Sequence, residues 1–488
     1  MTSAPSETGP VPPSGCPAHQ PFPGAGLPAD GPPALYGPEF AADPDAVYSA
    51  LRERGPAHWV EIAPGVEAVL VTAYDACLEV LRNPQFSKDA RRWTALAEGR
   101  VPSDNQVVPM LGYRPSLMFA DGHEHLRLRA SVDDTLARVN PHRLRGYVQR
   151  SAVALIDEFA AEGTADLVSQ YCARLPARVF TQLFGCPDEL AVRMATACGQ
   201  MIDAEPAAAQ QGSIDLARCL GELVAEKRRS PGADVTSWLL SHHAELDDTE
   251  MVHQLVVLIG AGTVPQSAWI STATMMLLTD DRFGSDLSGG SMTVTDALNE
   301  VLWSKSPMAN FCCHFATQDF PLRDETDRTE FVIPAGVPVL VSLAAANTDP
   351  ALAASHEQRA ANLSHLAFSG GPHVCPAQDI AGIIADVAIE TLLDRLPDME
   401  LDCEPGALTW RPGPFHRTLT ALPVRFPAVP ARATTSHADP TSGAPTWNTS
   451  PAPSSTPQEQ IPTPKQPASG QKGRRRWWSF PAIFRRGR

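Results

Sequence analysis

The residues whose chemistry is plainest are those around Cys375, in the stretch Phe368-Ser369-Gly370-Gly371-Pro372-His373-Val374-Cys375-Pro376-Ala377. Gly370, Gly371 and Pro372 permit a tight turn whose amides point at the sulfur, and an apolar helix expected from about Gln378 presents its positive N-terminal end to it. Both effects favour thiolate over thiol, which sets Cys375 up to hold a metal. Phe368 is spaced to cover the other side of the sulfur. The bland alternative is that Cys375 is one small buried hydrophobe among ten cysteines, and only its neighbours argue otherwise.

Two further groups carry polar chemistry. In Asp121-Gly-His-Glu-His-Leu-Arg-Leu-Arg129, His125 and Arg129 fall four apart and share a helix face, although His125 taken alone reads as a solvated helix-face histidine. The longest apolar helix, Asp248 to Leu278, contains Ala261-Gly262-Thr263-Val264-Pro265-Gln266, and Pro265, Gln266 and Ser267 interrupt its apolar run. Pro265 removes a donor there and predicts a kink. Thr263, Gln266 and Ser267 then either organise water or satisfy carbonyls exposed by the kink.

The elements that must position these residues are mostly helices. Helical patterns are expected over Asp43 to Arg54, Tyr74 to Asn83, Glu124 to Leu136, Pro141 to Glu162, Ala173 to Leu183, Leu190 to Met201, Ile214 to Lys227, Ser237 to Ser241, Met292 to Trp303 and Ala377 to Leu396. Strands are expected at Glu67 to Thr72, Thr329 to Ile333 and Val337 to Ser342. Between Arg91 and Phe119 the pattern breaks into a long irregular segment, the kind of loop that often lines a site. The fold class expected is mainly α with small β-sheets.

The chain has 488 residues and a formal net charge of -16, which argues against nucleic acid as a partner. Residues 1–33, rich in Pro, Gly and Ala, and residues 429–471, rich in Pro, Ser and Thr, are expected to be disordered, leaving one large domain over 34–428. The cysteines form no regular framework, and no basic region followed by an apolar run marks a signal peptide. A reduced, cytoplasmic protein with no membrane span is expected. From Val429 onward nine Lys and Arg face only Asp439 and Glu459, so the end of the chain carries about +7 and the rest about -23. Residues 472–488 interleave arginines with Trp477, Trp478, Phe480, Ile483 and Phe484. They suit peripheral contact with an anionic membrane surface, a docking site for an acidic protein, or a solvated tail.

From about residue 35 to 428 the order of elements and motifs resembles the cytochrome P450 family. The resemblance rests on Asp121 to Arg129, Ala345-Ala-Asn-Thr-Asp-Pro350, His365-Leu-Ala-Phe368 and the Cys375 loop, in that order. It implies haem b with Cys375 as the axial ligand of the iron, and His125, Arg129 and His373 toward the propionates. His314, in Phe311-Cys-Cys-His-Phe-Ala-Thr-Gln-Asp319, stands where the family commonly has an arginine. It implies monooxygenation of a small organic substrate with electrons from ferredoxin and ferredoxin reductase, since no flavin or iron–sulfur domain is fused.

Three departures qualify this. The family's distal helix carries an acid and then a threonine that help deliver protons; here Val264 and Pro265 replace them. The family's Glu-x-x-Arg reads Glu300-x-x-Trp303, which leaves Glu300 in need of another cation, with Arg359 the candidate. Ala377 replaces a glycine. The Trp303 pattern, with Cys16-Pro-Ala-His and Arg91-Arg-Trp93, resembles an atypical actinobacterial subgroup often encoded beside small GTPases and a second cytochrome P450. The alternative functions are therefore a haem-binding accessory protein in a complex with a partner enzyme, or a peroxide-driven oxidase.

Overall fold

The computed structural model describes residues 31–203, 206–280, 292–323, 330–352 and 362–429. The expected disordered ends, Cys16, Arg359 and the basic–aromatic tail lie outside them, apart from a few residues at the inner margin of each end. The main helices are α1 (Pro44–Arg52), α2 (Tyr74–Arg82), α3 (Gly122–Leu136), α4 (Pro141–Asp157), α5 (Arg174–Leu183) and α6 (Asp188–Asp203). They continue with α7 (Pro206–Arg229), α8 (Val235–Leu240), α9 (Asp248–Thr279), α10 (Val294–Ser304) and α11 (Gln378–Arg395). This is the mainly α architecture expected, and the helices begin where the sequence supplies caps. Asp247 accepts from the Glu250 amide while Glu250 accepts from the Asp247 amide, a reciprocal cap that starts α9. Asn140 caps α4 ahead of Pro141.

Helix α9 runs through the middle of the domain and packs against α5, α7, α10 and α11, while α4 packs on α5 and α11. Leu155, Val179, Leu220, Leu255, Ile270, Ile384 and Leu392 meet in this core. Among the described residues α9 is the one helix long and apolar enough to cross a membrane, and its place among four other helices accounts for that apolarity. As expected from the Asp248 to Leu278 pattern, α9 is one continuous helix, with Pro265 inside it. Residues 266 to 275 are all buried, so packing carries the helix through the missing donor.

Strands β1 (Ala57–Ala63), β2 (Val66–Val71), β3 (Phe86–Ser87), β4 (Thr164–Asp166), β5 (Asn310–Ala316), β6 (Phe320–Arg323), β7 (Glu330–Ile333), β8 (Val339–Ser342), β9 (Glu400–Leu401) and β10 (Pro423–Arg425) form three sheets. The largest has the order β1-β2-β8-β5-β3, with β2 and β8 parallel. Both its faces are buried. Ala68, Leu70 and Leu340 face one apolar cluster and Val69, Val71, Val339 and Val341 the other, which is the period-two alternation of a strand covered on both sides. β1 and β5 are not among the expected strands, and β5 is the strand that carries His314.

Helix α10 locks the sheet side to the Cys375 loop. Trp303 is buried, and its Nε1 donates to the Asn362 carbonyl at 2.9 Å, with Asn299 Nδ2 on the same oxygen at 3.3 Å. Asn347 Nδ2 donates to the Leu302 carbonyl, and Asn347 Oδ1 accepts from the Leu366 amide at 2.6 Å. The Trp303 ring also meets His365 edge-on at 5.7 Å. Glu300 is buried one turn earlier on the same helix.

Trp303→Phe keeps most of the ring and leaves the Asn362 carbonyl its bond from Asn299, so urea denaturation should show a loss of about 1 kcal/mol. Trp303→Ala, which opens a cavity, should cost about 3–5 kcal/mol. His365 supplies a pH test. Burial pushes it down to about 4 from the ordinary 6.5, so between those values only the unfolded chain takes up the proton. Stability is full above pH 6.5 and falls toward pH 4 by up to about 1.4 kcal/mol per pH unit. Denaturation at several pH values should show that slope reduced in His365→Phe.

Candidate functional site

The Cys375 loop is fixed mainly through its backbone. The Cys375 amide donates to the Phe368 carbonyl at 2.9 Å, and the Ser369 amide to Leu366 at 2.7 Å. Ser369 and Gly371 both take positive φ, 64° and 65°. At Gly371 a Cβ would lie 2.2 Å from the Leu81 carbonyl oxygen, so only glycine lets the loop press against the end of α2. Arg129 of α3 holds the loop from the other side, with Nη1 donating to the Val374 carbonyl at 2.6 Å and to Pro372 at 3.3 Å. Its Nε pairs with Asp133, so the guanidinium is committed first to the loop and keeps Nη2 for another acceptor. The Phe368 ring packs edge-on against Trp269 of α9 at 5.8 Å and ties the loop to the central helix.

Helix α11 starts at Gln378, and the Ala377 amide donates to the Cys375 sulfur at 3.4 Å. The thiol is nevertheless raised above its ordinary value by burial, against the lowering pull of that amide and of Arg129. The turn amide pulls toward thiolate as expected, and burial outweighs it. A metal cation at the sulfur would deprotonate it outright.

Beside the loop stands a nest of buried nitrogen groups. The His125 and His373 rings lie 4.0 Å apart, tilted by 36°. His125 is 4 % exposed, and its Nε2 is buried with no partner. His373 is pushed far below its ordinary value by burial, reinforced by Lys88, His125, His314 and Arg129. His314 is buried on β5. Lys88 is the member that the sequence reading misses. It is 2 % exposed, with Nζ 5.7 Å from the centre of the Phe311 ring. β3 pairs with β5 as Phe86 to Ala316 and Ser87 to Phe315, so the continued register sets Lys88 opposite His314. In one dimension Lys88 is only a charge after Phe-Ser; the pairing alone reveals it. Asp121 nearby is taken by the Ser87 hydroxyl and the Lys88 amide.

On α9, Gly260 and Ala261 are exposed although they sit mid-helix, and residues 262 to 265 are half-buried. The helix therefore faces open space there. Gly262 is required by α5, since a Cβ on it would lie 2.2 Å from Phe180 Cζ. The Thr263 hydroxyl donates to its own helix at Ile259, 2.9 Å, and Gln266 Nε2 crosses to the Ala381 carbonyl of α11, 3.1 Å. Ser267 is buried one turn beyond Val264. Elsewhere, Asp134, His242 and His243 bring possible ligand atoms within 4.8 Å of one another. There His242 Nδ1 accepts the Ala244 amide and its Nε2 faces Asp134, which leaves that ring no lone pair for a metal.

The test of fit for haem is met by this chain's own atoms. A single fixed sulfur lies beside a buried imidazole nitrogen that lacks an acceptor, and cations flank it in number suited to two carboxylates. A mainly helical domain with such a loop just ahead of α11 fits a haem-binding site.

No family model matches the sequence. The chain is 33% identical over 402 residues to the cytochrome P450 monooxygenase PikC of Streptomyces venezuelae, covering 80% of this chain and 92% of that one. It is 28% identical to cytochrome P450 107B1 of Saccharopolyspora erythraea, covering 79% and 96%. Among solved structures, CYP154C4 from Streptomyces sp. W2061 superposes with a TM-score of 0.74 at 26% identity, covering 80% of this chain and 97% of that one. The chain belongs to the cytochrome P450 family.

Gly371→Ala tests the loop directly. The strain of positive φ, about 1–2 kcal/mol, adds to the collision with Leu81. The variant should melt several degrees lower and lose its bound prosthetic group faster on dilution.

Proposed function

We propose that this chain is a haem-thiolate monooxygenase that oxidises a small organic substrate, with electrons from ferredoxin and ferredoxin reductase. The observation that carries the reading is the orphaned His125 Nε2 in a buried nest of nitrogen donors, His314 and His373, flanked by the cations Lys88 and Arg129, a set suited to carboxylates. Haem b, when bound, supplies oxygen activation at an iron for insertion into the substrate. Cys375 is the iron ligand in this reading. Lys88, His125, His314 and His373 hold the propionates, with Nη2 of Arg129 as a further donor. Lys88 restores the charge lost where His314 stands in place of an arginine. Phe368 shields the sulfur from water.

Proton delivery is the weaker half of the site. Val264 and Pro265 offer no proton, Thr263 donates to Ile259 and Gln266 to Ala381. Ser267 is left as the hydroxyl nearest the open stretch of α9 for ordering water, with Thr263 and Gln266 joining it only if they give up these bonds. That observation supports a second reading, in which the chain is an accessory cytochrome acting with a partner enzyme, or uses a peroxide that brings its own protons. The Glu300-x-x-Trp303 pattern fits the actinobacterial subgroup, with a second cytochrome P450 or a GTPase-linked complex as partner. A cytoplasmic location, with peripheral membrane contact through residues 472–488, completes the proposal.

The carbon-monoxide difference spectrum of the reduced protein decides the ligand. The native chain should give the red-shifted thiolate band and Cys375→Ser should lose it; a band that survives in the serine variant removes the assignment. In the same preparations Lys88→Met should release haem about tenfold faster, the scale of one buried charge-assisted hydrogen bond. Turnover with ferredoxin and dioxygen, set against turnover with hydrogen peroxide, separates the two readings of activity.

A further inference from the structure

The open stretch of α9 continues toward its N-terminal half along one face, because His253, Val257, Gly260 and Val264 are spaced by four, three and four. Val257 and Val264 are half-buried yet belong to no apolar core cluster, as expected of side chains that line a cavity. His253 breaks this apolar stripe. Its Nδ1 is buried and has no partner.

The segment that carries Arg114 is brought to this part of α9 by the residue after His253. Gln254, the next residue of α9, accepts the Leu117 amide on Oε1 at 2.9 Å and donates to the Leu128 carbonyl at 3.2 Å. That pins the segment after Arg114 against the helix. Arg114 itself makes one bond, from Nη2 to the Pro109 carbonyl at 2.8 Å, which fixes the guanidinium and leaves its other nitrogens for a ligand. No carboxylate pairs with Arg114 or His253 among the described residues. Burial lowers both groups from their ordinary values, and the charge of Arg114 adds to the lowering at His253. A buried guanidinium without a counter-ion is costly unless something supplies one.

We propose that Arg114 and His253 form a recognition site for the carboxylate of an otherwise apolar substrate, which then lies along Val257, Gly260 and Val264. This rests on the haem-thiolate reading and adds the class of substrate to it. Arg114 supplies a planar pair of donors matched to a carboxylate, and His253 a third donor. The apolar stripe accepts the remainder of the molecule and directs it toward the exposed mid-helix positions.

The test uses the full-length haem-loaded protein and a panel of linear and aryl-substituted alkanoic acids of ten to sixteen carbons, each against its methyl ester. Binding is read by calorimetry and by the haem absorbance. Acids should bind about tenfold or more tightly than their esters. Arg114→Gln should bring that ratio close to one, Arg114→Lys should keep part of it, and His253→Phe should reduce it. Esters that bind as well as acids, a preference that survives Arg114→Gln, or no binding across the panel each overturn the proposal. A native protein that lacks the thiolate band fails the haem reading instead, so the two failures are told apart in one set of samples.

Discussion

A sulfur can hold a metal in place only if the loop around it cannot relax, and here the loop's own backbone bonds and contacts from outside it share that task. Ser369 and Gly371 both sit in the left-handed region, a conformation that a free peptide would leave. They are held by the Cys375 amide on Phe368, by Arg129 on the Val374 and Pro372 carbonyls, and by Asn347 on the Leu366 amide. Arg129 brings α3 to the turn, Asn347 the segment after β8, and Leu81, against which Gly371 lies, the end of α2. The large helical core serves to keep these anchors in register.

How much of this is legible in the sequence depends on whether the cause is local. The Cys375 turn, the cap of α9, and the periodicity of α3 and α11 are set by residues a few positions apart, and they can be read directly. β5 cannot, because its neighbours β3 and β8 are brought to it by the fold. Lys88 becomes visible only with that pairing. Pro265 shows the limit from the other direction, since the local cost of a missing donor is legible while the packing of residues 266 to 275 that supports the helix around it is not. The thiol of Cys375 illustrates a third kind of failure: the favourable amide is legible, while the burial that outweighs it is a property of the finished domain.

Trp303 exchanges one kind of fastening for another. An arginine at that position would bring charge and several donors to the segment before the loop. The indole brings one donor, spent on the Asn362 carbonyl, and a broad ring that packs on His365. Ring contacts are short-ranged and insensitive to salt, so this fastening depends on shape where an ion pair would depend on charge.

The parallel pairing of β2 with β8 joins Val69 to Val339, a separation of about 270 residues, and such distant contacts form late in folding. The groups that surround the candidate cofactor site come from positions 88, 125 and 314, inside that span, and from 373, beyond it. During synthesis the first of them emerges long before the last, and β2 waits beside an open edge until β8 is made. The four groups therefore come together only after the chain has been made past position 373, and until β8 is made β2 keeps an unpaired edge, the kind of edge that other chains can pair with.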